Sequence, residues 1–321
     1  MEYRRLGSTG LSVSTLCFGT SRFARDVNGT SQTTHDEAIE LLDACWDRGI
    51  NFFDTSNSYG DPNGTSEQWI GEWLADHDRE DVVIASKVYN SAVSRVTRNL
   101  SRKNIRAEIE GTLDRLGTDY IDLYYIHAWD DETPIRETLR TLDMLVQEGR
   151  VHYIGASNLA AWQLMKALWV SDREQLERFD VVQPRFNAAF RERPAELLAV
   201  ADDQDIAVCP YAGLAGGFLT GKYERDAPPP SGSRGDVYDW EDRFEDRQWR
   251  VLDMIRTIAE DQDASVAQLA LKWLMDREEF TCVPIVAARS VEQLDENVNA
   301  VTVSLDSADR EAITNAYVDN K

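Results

Sequence analysis

Residues 119–127 read DYIDLYYIH, a short apolar run that ends in a histidine. We predict a strand over 121–127, because Ile, Leu and Tyr dominate it and polar residues do not alternate with apolar ones. That pattern is typical of a strand buried on both faces. Seven further runs share this character and are predicted as strands: 15–18, 51–54, 82–87, 151–157, 181–184, 206–210 and 280–286.

Longer amphipathic segments separate these runs and predict helices. They cover 36–48, 66–76, 103–116, 135–148, 161–178 and 195–202. The second of them is predicted to be capped by Ser66 or Thr65. Eight strand–helix repeats predict an α/β fold, a (β/α)8 TIM barrel formed by a single domain over 1–321. A doubly wound sheet is the alternative, but no GxGxxG motif follows the first predicted strand.

Two segments depart from the repeat. Residues 2–13 contain two short extended runs around a turn at 7–10, which predicts a β-hairpin that closes the bottom of the barrel. Residues 213–245 form a long connection after strand seven, rich in proline and glycine and then in acidic and aromatic residues. A connection of that length is usually functional, so we predict a lid or binding loop, with a flexible insertion as the alternative.

The chain has 321 residues and a net charge of −23, with 57 acidic and only 34 basic residues. Such a charge repels nucleic acids and acidic membranes. The sequence contains neither an apolar stretch of membrane-spanning length nor the apolar run of a signal peptide, so we expect a cytoplasmic protein. The chain is acidic, and only six of its basic residues are lysines. Because dissolved ions screen the repulsion between acidic groups, we hypothesise a salt-loving host.

The sequence contains four widely spaced cysteines, which we expect to be buried free thiols. The sequence has no HExxH motif, histidine pair or carboxylate cluster, so we predict no metal site.

Reactive residues stand where the predicted strands end. Asp54, Lys87 and His127 close strands two, three and four, and Tyr59 lies just after Asp54. The carboxyl ends of barrel strands form the active site in this fold. Singly, Lys87 could belong to a structural ion pair with Asp54, and His127 could be a core histidine. Their occurrence on consecutive strand ends favours a catalytic site.

Several segments resemble the aldo-keto reductase family in order and spacing: NFFDTSNSYG, VVIASK, DYIDLYYIHAWD, VHYIGASN, LAGGFLTGKY and PIVAARSVEQLDEN. The resemblance covers nearly the whole chain. It implies a (β/α)8 barrel that binds a nicotinamide cofactor without a Rossmann domain, in accord with the missing GxGxxG motif. The expected reaction is reduction of an aldehyde or ketone to an alcohol, or the reverse.

The resemblance also implies a role for each strand-end residue. Tyr59 is the general acid in reduction and the general base in oxidation. A free phenol has a pKa of about 10, and a nearby cation lowers it. Lys87 supplies that cation and is held in place by Asp54. His127 donates a hydrogen bond to the substrate oxygen, and Trp129 joins Tyr59 and His127 in the substrate site.

The remaining implied roles concern cofactor binding. Residues that match the family's cofactor contacts are Gly19, Thr20, Asp54, Ser157, Asn158, Gln183, Tyr211, Leu214, Gly216, Arg289, Gln293 and Asn297. Arg289 matches the adenosine end, where a guanidinium suits a 2′-phosphate. NADP(H) is therefore expected, with NAD(H) as the other possibility.

The sequence departs from the family after strand seven and before Arg289. Ala212 and Gly213 replace the usual serine and proline, which predicts a looser loop, and Ala287 replaces a glycine. A rival interpretation is a cofactor-sensing regulatory or partner-binding subunit on the same fold, since fold alone does not decide function. The intact set Asp54, Tyr59, Lys87 and His127 favours the enzyme, which acts on a small carbonyl or alcohol substrate. The sequence leaves the substrate's identity and the oligomeric state open.

Overall fold

Eight parallel strands form the central sheet of the computed structural model, which describes residues 1–27, 30–90, 92, 98–238 and 244–318. The strands in chain order are β1 Tyr3–Arg5, β2 Ser12–Ser14, β3 Cys17–Gly19, β4 Asp26–Val27, β5 Thr30–Ser31, β6 Phe52–Asp54, β7 Val83–Val88, β8 Ile121–Ile126, β9 Val151–Ser157, β10 Val181–Gln183, β11 Ala207–Val208 and β12 Ile285–Val286. The order in the central sheet is β11-β10-β9-β8-β7-β6-β3-β12.

Backbone hydrogen bonds between β11 and residues 281–283, just before β12, close the sheet into a barrel. The Val208 N–H donates to the Thr281 carbonyl at 2.8 Å, and the Val283 N–H donates back to Val208 at 2.9 Å. The predicted TIM barrel is confirmed. The last barrel strand, predicted over 280–286, is shorter than predicted. It is β12, and its regular pairing with β3 covers only Ile285–Val286.

Helices surround the barrel. Within the described residues they are α1 His35–Asp47, α2 Thr65–Leu74, α3 Arg102–Leu116, α4 Ile135–Gln147, α5 Ala161–Glu174, α6 Ala195–Asp203, α7 Arg234–Val237, α8 Asp246–Asp261, α9 Val266–Met275, α10 Val291–Asn299 and α11 Ser307–Ala316, with 3-10 turns at Arg79–Asp81, Ala215–Thr220 and Ala300–Thr302. In α4, Ile135, Leu139, Leu142 and Leu145 are buried at helical spacing, which turns one face onto the barrel.

The six predicted helices are confirmed, with two corrections. Helix α5 ends at Glu174 instead of continuing to 178, because Gln175 adopts a left-handed conformation with φ 56°. Helix α2 is not capped by Ser66 or Thr65. Its N-cap is Gly64, and the Ser66 hydroxyl lies 3.0 Å from the Thr55 hydroxyl inside the protein. Helices α7 to α11 were not predicted.

The predicted amino-terminal hairpin is confirmed as β1 and β2. Leu6 and Val13 are fully buried and pack among the side chains that fill the barrel interior. Gly7 lies at the turn with φ +57°, where a Cβ atom would come within 2.9 Å of the Ala207 nitrogen at the start of β11. The hairpin therefore closes the end of the barrel where the strands begin.

The long connection after β11 is ordered over its described part. Phe218 in its 3-10 turn stacks on Phe244 with ring centroids 3.8 Å apart and meets Trp249 of α8 edge-on at 5.0 Å. These contacts argue against a flexible insertion. Residues 239–243 of the predicted acidic and aromatic run lie outside the described residues.

None of the helices in the described ranges has the length and apolarity that crossing a membrane requires. All four cysteines, Cys17, Cys45, Cys209 and Cys282, are buried free thiols, as predicted.

Candidate active site

Lys87 lies at the centre of the site and is fully buried at the end of β7. Its ammonium donates to Asp54 Oδ1 at 2.6 Å, to the Thr55 carbonyl at 2.7 Å and to the Tyr59 hydroxyl at 3.2 Å. The three acceptors satisfy its three N–H groups. The parallel register places Asp54 at the end of β6 beside β7. The fold therefore brings a carboxylate, an ammonium and a phenol into one chain of hydrogen bonds.

The charges in this chain decide which groups hold protons. Burial lowers the pKa of Lys87, but Asp54 and Tyr59 outweigh that effect and the net shift is upward, so Lys87 is an ammonium. Burial raises the pKa of Tyr59, and Lys87 opposes the rise without overcoming it. Lys87 therefore acts on the phenol in the expected direction, but burial outweighs it and the net shift of the Tyr59 pKa is upward. Tyr59 keeps its proton at neutral pH, the state required of a proton donor.

His127 follows β8, and its ring meets the Tyr59 ring edge-on with centroids 5.8 Å apart. Burial lowers the pKa of His127 to about 3, and the positive charge of Lys87 contributes to the shift. The imidazole is therefore neutral at physiological pH and carries one N–H group, which can donate a hydrogen bond. Its Nδ1 atom lies 3.2 Å from the Ser56 hydroxyl.

Polar side chains from β9, β10 and the segment after β11 form the next part of the site. Asn158 has a left-handed backbone, φ 55°, and its amide donates to the His127 carbonyl at 3.0 Å. The Tyr211 hydroxyl donates to Asn158 Oδ1 at 2.9 Å. The Ser157 hydroxyl donates to the Gln183 carbonyl at 2.8 Å, and Gln183 Nε2 donates to Asp54 Oδ2 at 2.8 Å. These bonds tie four strand ends together.

A cavity of about 810 Å³ opens above these strand ends. That volume lies in the range of about 300 to 1,000 Å³ usual for small-molecule and cofactor sites. The predicted site residues that line it are Gly19, Asp54, Tyr59, His127, Ser157, Asn158, Gln183, Tyr211, Leu214, Gly216, Arg289, Gln293 and Asn297.

The cavity wall is strongly cationic, although the chain as a whole is acidic. Among the described lining residues six are cations, namely Arg22, Arg25, Arg185, Lys222, Arg234 and Arg289, and two are acids, Asp54 and Glu296. Burial, together with the positive charges of Arg289 and Arg234, lowers the pKa of Arg22 to about 10. Burial and the charges of Arg289 and Arg22 also lower the pKa of Lys222. Cations held together at this energetic cost suit a ligand with several negative charges.

A sequence profile described as the Aldo/keto reductase family matches residues 15–318. The chain belongs to the aldo/keto reductase family. It is 36% identical over 316 residues to "Uncharacterized oxidoreductase YrpG" of Bacillus subtilis (strain 168), with 95% of this chain and 93% of that protein covered.

Two further relatives represent different functions. The chain is 34% identical to "Norsolorinic acid reductase B" of Aspergillus parasiticus over 98% of this chain and 84% of that protein. It is 33% identical to "Probable voltage-gated potassium channel subunit beta" of Arabidopsis thaliana over 94% and 92%. Membership of the family and its reductase relatives support carbonyl reduction as the activity, and the regulatory interpretation has weaker support.

Three residues assigned from the family resemblance do not line the cavity. Lys87 lies behind Tyr59, and Thr20 is buried with its hydroxyl 3.0 Å from the Asp54 carbonyl. Trp129 meets Trp162 edge-on at 5.9 Å and donates to Asp131 at 3.1 Å. Its assignment to the substrate site therefore stays a prediction.

The atypical residues after β11 form a packed segment. Gly213 is buried, and an added Cβ atom would meet Leu274 Cδ1 at 3.1 Å, so the backbone is packed at this position. The looser loop stays a prediction. Ala212 has φ 58°, and its carbonyl accepts from Asn187 Nδ2 at 2.8 Å. Gly216 also has a positive φ, 71°, which favours glycine where backbone must approach a ligand.

Several contributors to the site were missed from the sequence. Arg22 and Arg25 follow the first barrel strand directly, and this position in an acidic chain was the available signal. Lys222 stands in the quoted LAGGFLTGKY segment but was given no role. Ser56 lies between Asp54 and Tyr59, and only the structure reveals its proximity to His127.

Proposed function

We propose that this protein is an NADP(H)-dependent oxidoreductase that interconverts carbonyl compounds and alcohols, with Tyr59 as the proton donor in reduction. The observation that carries the proposal is the Lys87 ammonium, which bonds Asp54 on one side and the Tyr59 phenol on the other. Tyr59 faces the cavity, whereas Lys87 does not. A phenol that is protonated at rest can donate its proton to a substrate, and a cation hydrogen-bonded to its oxygen then stabilises the phenolate that remains.

The residues around the cavity fit a nicotinamide dinucleotide. The cationic wall suits its phosphates, and Ser157, Asn158 and Gln183 offer hydroxyl and amide groups at the strand ends. Bound there, the cofactor would supply the hydride. Neutral His127 would donate a hydrogen bond to the carbonyl oxygen of the substrate, and Tyr59 would transfer its proton to the same oxygen. Lys87 would stay charged throughout.

The preference for NADP(H) over NAD(H) rests on Arg289 and its cationic neighbours. A 2′-phosphate adds charge that a guanidinium can bind through two hydrogen bonds. We expect Arg289→Gln to weaken NADPH binding much more than NADH binding, measured by fluorescence titration. Equal losses for the two cofactors would contradict the assignment of Arg289 to the 2′-phosphate.

The decisive experiment is NADPH oxidation with a panel of aliphatic and aromatic aldehydes and ketones. Tyr59→Phe is the matched variant, since it removes only the hydroxyl. We expect wild type to turn over and Tyr59→Phe to lose activity by about 10² to 10⁴, the usual contribution of general acid catalysis. NADPH binding should persist in both proteins.

The second candidate, a cofactor-sensing or partner-binding subunit, is favoured by the similarity to a probable potassium channel subunit. It predicts that wild type and Tyr59→Phe both bind NADPH and are equally inactive across the panel. That result would favour the subunit.

The charge of −23 and the small number of lysines support a further part of the proposal, that the protein works in a cytoplasm of high salt. Dissolved ions would screen the repulsion between its acidic groups.

A further inference from the structure

The Ser56 hydroxyl is a fully buried group that touches the catalytic site from behind. It lies 3.2 Å from Nδ1 of His127 and does not line the cavity. Among the described residues it is the one hydrogen-bond partner of that ring nitrogen. Of the two cavity-facing groups, Tyr59 and His127, the Ser56 side chain contacts His127.

The position of the imidazole proton decides what His127 can do. A neutral imidazole carries one proton, on either Nδ1 or Nε2, and the partner of one nitrogen selects the tautomer. With the proton on Nε2, that nitrogen is a donor to a carbonyl oxygen. With the proton on Nδ1, Nε2 is an acceptor and offers nothing to a carbonyl.

The hydrogen bonds around Ser56 indicate which tautomer is present. A hydroxyl donates one hydrogen bond and accepts two. The Ser58 N–H donates to Ser56 Oγ at 3.2 Å, and the Ser58 hydroxyl lies 3.0 Å from the same oxygen, within donating distance. When both donate, Ser56 has only its proton left to give. Its acceptors are His127 Nδ1 at 3.2 Å and Asn57 Oδ1 at 3.3 Å.

Further hydrogen bonds fix the conformation of residues 56–59, the segment that carries Ser56. The Asn57 amide donates to Glu108 at 2.8 Å and to the Asn90 carbonyl at 2.7 Å, and Asn57 is fully buried. The Tyr59 N–H donates to the Ser56 carbonyl at 3.0 Å. Ser56 is therefore fixed beneath the imidazole by its neighbours in sequence.

We propose that the Ser56 hydroxyl donates to Nδ1 of His127 and so keeps the imidazole proton on Nε2, where it can be given to the carbonyl oxygen of the substrate. Ser56 is then a positioning residue for His127. We infer the tautomer from the contacts of Ser56, whereas its use in the reaction rests on the proposed function.

Nitrogen-15 NMR of the full chain labelled at histidine tests the tautomer directly. The chain has four histidines, so few signals arise, and those of His127 are identified by their loss in His127→Gln. We expect an unprotonated Nδ1 and a protonated Nε2 in wild type. A wild-type spectrum with the proton on Nδ1 would overturn the proposal without any need for a Ser56 variant.

Variants then test the cause. In Ser56→Ala we expect part of the proton to move to Nδ1, while Ser56→Thr, which keeps a hydroxyl, retains the wild-type spectrum. Ser58→Ala removes one of the two hydrogen bonds that Ser56 accepts but leaves the Ser56 proton in place, so we expect a smaller shift of the imidazole proton than in Ser56→Ala. Identical spectra for wild type and Ser56→Ala would overturn the role of Ser56.

Kinetics test the consequence. If the fraction of His127 protonated on Nε2 falls to a tenth, kcat falls about tenfold, while the Kd for NADPH stays unchanged. We expect Ser56→Thr to recover most of kcat. Retention of full kcat in Ser56→Ala, despite a shifted tautomer, would overturn the catalytic consequence. Failure of wild type to reduce any carbonyl would refute the proposed function but leave the spectroscopic result intact.

Discussion

Replacement of Lys87 by methionine is the sharpest test of the buried site. Methionine has similar length but carries no charge and no N–H group. The change removes three hydrogen bonds at once and leaves the Asp54 carboxylate, only 3% exposed, with Gln183 as its remaining side-chain donor among the described residues. A buried charge without its partner is costly.

The structure sets the size of the effect. Removal of one partner from a buried ion pair typically costs about 3 to 5 kcal/mol. Asp54 and Lys87 are both buried and lie at 2.6 Å, so we expect Lys87→Met to lose an amount in that range. The double variant Asp54→Asn/Lys87→Met removes the stranded charge. We expect it to be more stable than Lys87→Met by about 1 to 3 kcal/mol, because no carboxylate is left unpaired.

Urea denaturation at neutral pH, followed by tryptophan fluorescence, measures the free energy of unfolding for wild type, both single variants and the double variant. A double-mutant cycle then gives the coupling between Asp54 and Lys87. The same four proteins are assayed for NADPH oxidation, where Lys87→Met should lose about 10² to 10⁴ in kcat. The reasoning is refuted if Lys87→Met is as stable as wild type, or if the two single losses simply add in the double variant.

Three further predictions concern stability. Burial raises the pKa of Asp180 to about 7, so between about pH 4 and pH 7 the folded chain binds more protons than the unfolded chain and loses stability as the pH rises. Asp180→Asn should therefore melt higher than wild type at pH 8 and equally at pH 4, and an equal melting temperature at pH 8 would contradict this. Gly7→Ala should cost about 2 kcal/mol, because the residue has φ +57° and a Cβ atom would contact the Ala207 nitrogen, whereas Gly149→Ala, with φ +73° and open space around it, should cost less by urea denaturation. If both variants lost the same amount, the contact with Ala207 would be unimportant. Thermal melts should rise from dilute buffer to molar KCl, since salt screens the acidic surface, and inactivation by molar KCl of a protein fully active in dilute buffer would exclude the salt-loving interpretation.

The sequence was sufficient to predict the barrel, because strands buried on both faces leave apolar runs and the helices between them leave a period of 3.6 residues. The sequence predicted the ends of helices and strands less well. Helix α5 ends before Gln175, which adopts a left-handed conformation that glycine usually adopts, so the residue type gave no signal of the helix end. The last barrel strand, β12, was predicted to begin at residue 280 because of the apolar residues there. Pro284 interrupts that apolar run, and regular pairing begins only at Ile285.

The candidate catalytic set was predictable for a different reason. Each of Asp54, Lys87 and His127 ends a strand, and parallel strands in a barrel bring their ends together whatever the loops do. The cationic wall was harder to predict, because Arg22 and Lys222 come from loops whose paths are not encoded in a short pattern. The pKa of Tyr59 could not be predicted at all, since burial and the charge of Lys87 act on it in opposite directions.

That opposition has a mechanistic consequence. A phenol with a strongly lowered pKa would already be phenolate at rest and would have no proton to give to a carbonyl. Here burial keeps the proton on Tyr59, and in the proposed reaction Lys87, held as an ammonium by Asp54, would stabilise the phenolate once that proton has left. The neutral state of His127 follows from burial first and from the charge of Lys87 second. Burial therefore sets the resting protonation of both cavity-facing groups, and the Lys87 ammonium reinforces it at His127 and opposes it at Tyr59.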